Sequence, residues 1–248
     1  MRAILSPAAF VLRLLLCLST CLPAVAASSE TPDYPSEAGV GFIRTQSIIR
    51  GGQMSSSVMP YLIHEQGPFF ARIDTFGIRT LAAGYGHLEI LGRYRGDAYA
   101  LPGLAPRDNP VPLGLGTLQI TPWGAFEATL LRDIGDSAGL IAQARYISRG
   151  TLWRLSLYPE LGIEYLDYRY TRHYYGTRPL DTQSLGRDYT PGNATNLFLG
   201  LLASIRLTER IAFNAYLRRT WYGDSIEDSP LVSRGARNSF FLALARAF

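Results

Sequence analysis

Residues 152–165 read Leu-Trp-Arg-Leu-Ser-Leu-Tyr-Pro-Glu-Leu-Gly-Ile-Glu-Tyr. Trp153, Leu155, Leu157, Pro159, Leu161, Ile163 and Tyr165 share one parity; Arg154, Ser156, Tyr158, Glu160, Gly162 and Glu164 share the other. Side chains of a strand alternate between its two faces, so the stretch predicts one apolar face and one polar face. Strands of globular domains usually run about five or six residues, and this alternation is far longer. An apolar row that opens on Trp and closes on Tyr matches a lipid-facing row whose aromatics sit at two membrane interfaces. Pro159 has no N–H for the ladder, which predicts a local irregularity.

The same period recurs outward from this segment. Leu197, Leu199, Leu201, Ala203, Ile205 and Leu207 alternate with Asn196, Phe198, Gly200, Leu202, Ser204 and Arg206. After Thr208-Glu209-Arg210, the apolar row Ile211, Phe213, Ala215, Leu217 and Trp221 alternates with Ala212, Asn214, Tyr216, Arg218 and Thr220. At 240–248, Phe240, Leu242, Leu244 and Phe248 oppose Phe241 and three alanines. An apolar strand ending in Phe248 reads as the closing strand of a barrel, because an uncovered apolar edge invites aggregation. Short turns at 208–210, 148–150 and 121–122 fall on one side, and longer loops at 223–236, 170–194 and 96–112 on the other. That asymmetry separates periplasmic turns from outer loops.

These features predict an all-β, transmembrane antiparallel β-barrel over 38–248. Strands are expected near 39–49, 54–64, 68–80, 86–95, 113–120, 123–132, 138–147, 152–168, 195–207, 211–222 and 238–248. That odd count conflicts with the even number expected of bacterial barrels. A hidden hairpin around Thr75-Phe76-Gly77 gives twelve strands, the preferred reading; a first segment outside the wall gives ten.

Residues 1–26 predict a cleaved secretory signal peptide: Arg2 and Arg13, an apolar core around Leu14–Leu18, and a small-x-small site at Ala24-Val25-Ala26. A polar leader, 27–37, follows. Both cysteines, Cys17 and Cys21, fall inside the signal, leaving the predicted mature chain without thiols. The formal charge of +4 drops to +2 once Arg2 and Arg13 leave (4 − 2), too small to imply nucleic acid. Every basic residue is Arg.

The inward parity carries the candidate site: His87, Glu89, Arg93, Arg95, Gln143, Arg145, Arg154, Glu160, Glu164, Arg206 and Arg218. Two readings stay open. One is a salt-bridge network filling a narrow lumen, with Glu160 and Glu164 paired to Arg154, Arg145 or Arg206. The other is an Arg-biased pore for small anions. Histidines are few (His64, His87, His173) and lack metal-ligand spacing, so no metal or cofactor is expected. A surface hydrolase would have to assemble His173 with Ser184 or Ser229 and Asp181 or Asp228.

Three elements resemble the MipA/OmpV family of outer-membrane proteins. They are Tyr170-Thr171-Arg172-His173-Tyr174-Tyr175-Gly176, Asp228-Ser229-Pro230-Leu231-Val232, and the terminal strand ending at Phe248. The segment Arg95–Tyr99 with Leu101-Pro102-Gly103-Leu104 sits where that family has a Gly-rich loop. The resemblance spans roughly 68–248. It implies an outer-membrane barrel of a Gram-negative bacterium without enzymatic activity, with Tyr174, Tyr175, Gly176, Asp228, Ser229 and Pro230 as family motif residues. It also implies a scaffold role, because one member is regarded as linking a murein hydrolase to a murein synthase. The expected surroundings are outer-membrane lipid and lipopolysaccharide, with the barrel-assembly machinery acting during biogenesis.

Overall fold

In the computed structural model, which describes residues 36–248, the alternating segments pair into one antiparallel sheet that closes on itself. Its strands are β1 (Glu37–Thr45), β2 (Ser55–His64), β3 (Phe69–Arg72), β4 (Thr75–Ala83), β5 (Gly86–Arg93), β6 (Pro112–Thr121), β7 (Gly124–Asp133), β8 (Leu140–Ile147), β9 (Gly150–Leu152), β10 (Leu155–Leu166), β11 (Ala194–Arg206), β12 (Ile211–Trp221) and β13 (Ala236–Ala247). The last strand pairs with the first, from Glu37↔Ala247 to Thr45↔Ser239, which completes the ladder without an edge there. The predicted signal, most of the leader, Cys17 and Cys21 lie outside the described residues.

β8 and β9 are two parts of one wall strand. Both pair with β10 in a single register, Glu160↔Ile147 and Leu157↔Gly150. The interruption falls opposite Pro159. Its carbonyl accepts the Ser148 N–H at 3.0 Å, but it has no N–H to donate in return. The wall therefore has twelve strands, as the hidden-hairpin reading requires, and the ten-strand alternative falls away. That hairpin is β3–β4, turning at Ile73 and Asp74.

One expected turn is displaced. Pairing runs through 148–150, and the chain reverses at Trp153 and Arg154 instead. Trp153 adopts φ 55° in that turn and is 83% exposed, so it is not the first residue of an outward row. A bulky residue rarely takes positive φ.

Burial follows the two-residue period. On β10, Glu160, Gly162, Glu164 and Leu166 are buried while Leu161 and Ile163 are exposed. On β13, Phe241, Ala243 and Ala245 are buried and Leu244 is exposed. A water-soluble protein would hide those leucines and isoleucines; an apolar exterior around a polar interior belongs in a bilayer. The turns at 84–85, 122–123, 153–154 and 207–210 lie at the end marked by Glu37 and Phe248. The long segments at 94–111, 167–193 and 222–235 lie at the other end.

Two helices fold over that outer end. α1 (Tyr168–Tyr175) starts where the Asp167 carboxylate accepts the Tyr170 N–H at 2.9 Å. α2 (Pro179–Leu185) has Pro at its first position and stops at Gly186, which takes a left-handed φ of 69°. A third short turn of helix, α3 (Asp224–Glu227), lies in the last outer segment. The β7–β8 connection packs against α1 so closely that a Cβ on Gly139 would stand 2.5 Å from the Tyr170 amide nitrogen.

Candidate functional site

The lumen is crossed by a chain of charge pairs. From β5, Arg93 donates to Glu127 on β7 at 2.6 Å. Arg145 on β8 donates to the other oxygen of Glu127 at 2.6 Å and to Glu160 on β10 at 3.2 Å. The Tyr216 hydroxyl on β12 donates to Glu160. This one chain thus links strands from opposite parts of the wall. Glu127, between its two guanidiniums, is 5% exposed. Buried carboxylates and guanidiniums persist only when paired and hydrogen-bonded.

A second cluster lies at the β3–β5 side, where Arg72 bridges Glu89 at 2.7 Å and also pairs with Glu65, which in turn pairs with Arg79. A third cluster lies at the outer end of the lumen. Arg95 pairs with Glu164 and, at 2.8 Å, with Asp97; Arg237 reaches Asp97 at 3.3 Å and the Tyr170 hydroxyl donates to it at 2.7 Å. Burial alone would raise the Asp97 carboxyl, but Arg95 and Arg237 outweigh it and hold Asp97 well below the usual carboxylate range.

Above this layer sits an apolar cap. Leu104, Tyr170, Tyr174, Tyr175, Ile226 and Leu231 are among its buried members. Arg107 and Asp181 pair inside it at 2.9 Å with both side chains 0% exposed. Arg107 also donates to the carbonyls of Ala105, His173 and Gly176, and Asp181 accepts the N–H groups of Ala105 and Arg178. Burial raises the Asp181 carboxyl, but these donors more than offset it and hold it low. The pair ties the 94–111 segment to α2.

The sequence-derived residues divide into three groups. Glu89, Arg93, Arg95, Gln143, Arg145, Glu160 and Glu164 all enter the lumen network; Gln143 accepts from Arg93 at 3.1 Å. Arg218 stacks over the Phe198 ring at 3.6 Å, and His87 is half-buried on β5. Arg154 and Arg206 depart from the expected inward position. Arg154 is exposed in the β9–β10 turn, its guanidinium over Trp153 at 5.3 Å, because the chain reverses there. Arg206 ends β11 at the periplasmic rim and is exposed. The partners of Glu160 and Glu164 are therefore Arg145 and Arg95.

Among the motif residues, Tyr174, Tyr175 and Gly176 end α1 inside the cap. The Ser229 hydroxyl donates to the Tyr175 carbonyl at 2.6 Å, so the two motifs meet. Asp228 closes α3 and is exposed, and Pro230 gives its carbonyl to Arg50 at 3.0 Å. Phe248 is exposed at the rim, its N–H on the Ser36 carbonyl at 2.9 Å. A recess of about 660 Å³ beside it is lined by Ala38, Arg210, Arg246, Ala247 and Phe248. His173 lies 3.4 Å from the Arg178 guanidinium, and burial followed by Arg178 and Arg107 lowers its pKa. No hydrogen bond among the described residues joins His173 to Ser184, Ser229, Asp181 or Asp228.

Sequence reasoning missed Arg107, Glu127 and Asp97. Glu127 lies on the polar parity of β7 with Thr129, a signal that was present in the alternation. Arg107 and Asp97 lie in an irregular loop with no two-residue period to mark them; Arg107 finds Asp181 74 residues away, and Asp97, beside Arg95, also receives Tyr170 and Arg237 from distant segments.

An antiparallel barrel with this apolar exterior, polar lumen and asymmetric loops is an outer-membrane β-barrel. The model of the family described as MltA-interacting protein MipA matches residues 38–248, and the chain belongs to that family. Relatives include the Escherichia coli (strain K12) protein YiaT, whose name places it in the outer membrane. It is 23% identical over 220 residues, covering 85% of this chain and 89% of YiaT. The MltA-interacting protein of the same strain is 24% identical over 170 residues, 68% of each chain. Among solved structures, Neisserial surface protein A aligns over 86% of this chain and 94% of its own, at 11% identity and a TM-score of 0.27.

Proposed function

We propose that this barrel is a non-conducting, non-enzymatic platform in the outer membrane that holds cell-wall enzymes, a murein hydrolase and a murein synthase, at its periplasmic face. The observation that carries the reading is the set of buried ion pairs across the lumen beneath a packed outer cap. The Arg93–Glu127–Arg145–Glu160 chain, completed by the Tyr216 hydroxyl on Glu160, reaches from β5 to β12 across the interior, and the Arg107–Asp181 pair lies in the cap over the outer mouth. A diffusion channel needs a continuous wet path; twelve strands lie between the roughly eight that side chains fill and the roughly 16–18 of open porins, so the ion pairs and not the barrel's size carry the argument. The name of the relative described as MltA-interacting supports a murein-enzyme partner. The periplasmic rim, with its recess and exposed Trp123 and Trp153, is the face available to such a partner.

Affinity capture from detergent-solubilised membranes tests this reading. Murein hydrolases and synthases should be enriched over an unrelated barrel of equal abundance, and substitution of the periplasmic turns at 122–123 and 153–154 should lower the enrichment. Equal recovery on both barrels would contradict it.

A further inference from the structure

We propose that the wall carries a lipid site at its most weakly joined seam, and that the occupant is lipopolysaccharide, the phosphorylated and acylated glycolipid of the outer leaflet. β2 and β3 share only the pairs Ile63↔Arg72 and His64↔Ala71, plus one bond from the Ile73 N–H to the Leu62 carbonyl at 2.9 Å. On its other side, β2 pairs with β1 along its length, from Glu37↔Ile63 to Thr45↔Ser55. The β3–β4 hairpin turns back at Ile73, which takes φ 59°, and leaves the outer half of β2 without a strand partner on that side among the described residues.

The register fixes which backbone groups face the open side. Backbone N–H and C=O groups of a strand point to alternate sides from residue to residue. The Leu62 carbonyl points toward β3, so Ser56, Val58 and Pro60 do too. Pro60 has no N–H, and the Val58 carbonyl accepts the Ser57 hydroxyl at 3.3 Å. The N–H groups of Ser56 and Val58 and the carbonyls of Ser56 and Pro60 are left without a partner among the described residues, along about 13 Å of edge. Their level is that of the lipid-facing row: Val58 stands opposite Phe42 and Pro60 opposite Val40, and Val58 is 71% exposed. Unpaired backbone groups are not tolerated against hydrocarbon.

Symmetry and chemistry select the occupant. A two-fold axis along the membrane normal would bring strands tilted by about 40° together at about 80°, so a second copy cannot pair with β2. Strand addition by another protein meets Pro60, a residue that blunts edges. Lipid A supplies what the seam lacks: ester and amide carbonyls for the two N–H groups, hydroxyacyl groups for the carbonyls, and acyl chains for Val58 and Phe42. Its phosphate has a partner in Arg44. This residue lies on the outward row of β1 opposite Ser56, is exposed, and has no acidic partner among the described residues.

Native mass spectrometry of the intact barrel, extracted in mild detergent from a lipopolysaccharide-producing outer membrane, tests the site. The unaltered protein should retain one lipopolysaccharide. Arg44→Glu should reduce the retained fraction about tenfold, the scale of one charge-assisted phosphate contact. Arg132→Glu is the control. Arg132 is also outward and exposed, but its strand is paired on both sides, at Leu113 and Leu140, and retention there should be unchanged. Both variants should keep the fast gel mobility of a folded barrel. Retention of no lipid, retention of phospholipid instead, or equal losses in both variants would overturn the proposal.

Discussion

Asp181→Ala should open the outer cap while leaving the barrel closed. The Arg107 side chain is 0% exposed and loses its one ionic partner among the described residues in this variant. Removing one member of a buried pair typically costs about 3–5 kcal/mol, because the other charge stays buried alone. The loss is local. Asp181 lies on α2, outside the wall, and also holds the N–H groups of Ala105 and Arg178. Protease cleavage within 178–190, applied from outside to intact cells, should therefore accelerate about a hundredfold or more, since each 1.4 kcal/mol is tenfold in an opening equilibrium. Folded-barrel gel mobility should be retained. An unchanged cleavage rate would mean that the pair does not hold the cap.

The second large effect is expected at Glu127. It receives Arg93 and Arg145, each at 2.6 Å, from strands on either side of β7. Glu127→Ala strips a carboxylate from two guanidiniums at once, at about 3–5 kcal/mol. Arg93 keeps Gln143 and Thr75, and Arg145 keeps Glu160, so the barrel should still assemble. The temperature at which the compact gel form converts to the unfolded one should fall, with Glu127→Gln between wild type and Ala. A Glu127→Ala barrel as heat-resistant as wild type would show that the guanidiniums are already hydrated, which is what an open lumen would produce.

The wall was readable because its physics is periodic. Lipid on one side and a polar lumen on the other impose a two-residue pattern that Leu155–Leu166 and Ala194–Arg206 display plainly. The break opposite Pro159 followed from its missing N–H. The turn at Trp153-Arg154 did not, because the alternation continues through it and no Gly, Asn or Pro marks the reversal. The same alternation puts Arg154 on the inward parity. The cap was hidden for a different one. α1 reads Tyr-Arg-Tyr-Thr-Arg-His-Tyr-Tyr, short and rich in residues that favour strands, so only its boundaries carry a helical signal. Asp167 three residues before Tyr170, and Pro179 and Gly186 around α2, are those boundary signals. Arg107 and Asp181 are 74 residues apart in the chain, and only the folded loops bring them together.

The interior of this barrel is occupied by its own charges. Planar-bilayer recording of the purified, unaltered protein measures that directly. A lumen bridged by Arg93, Glu127, Arg145 and Glu160 under the α1–α2 cap should give no steady conductance at any moderate voltage, whereas reproducible, ohmic single-channel steps that change on Arg145→Ala would contradict it.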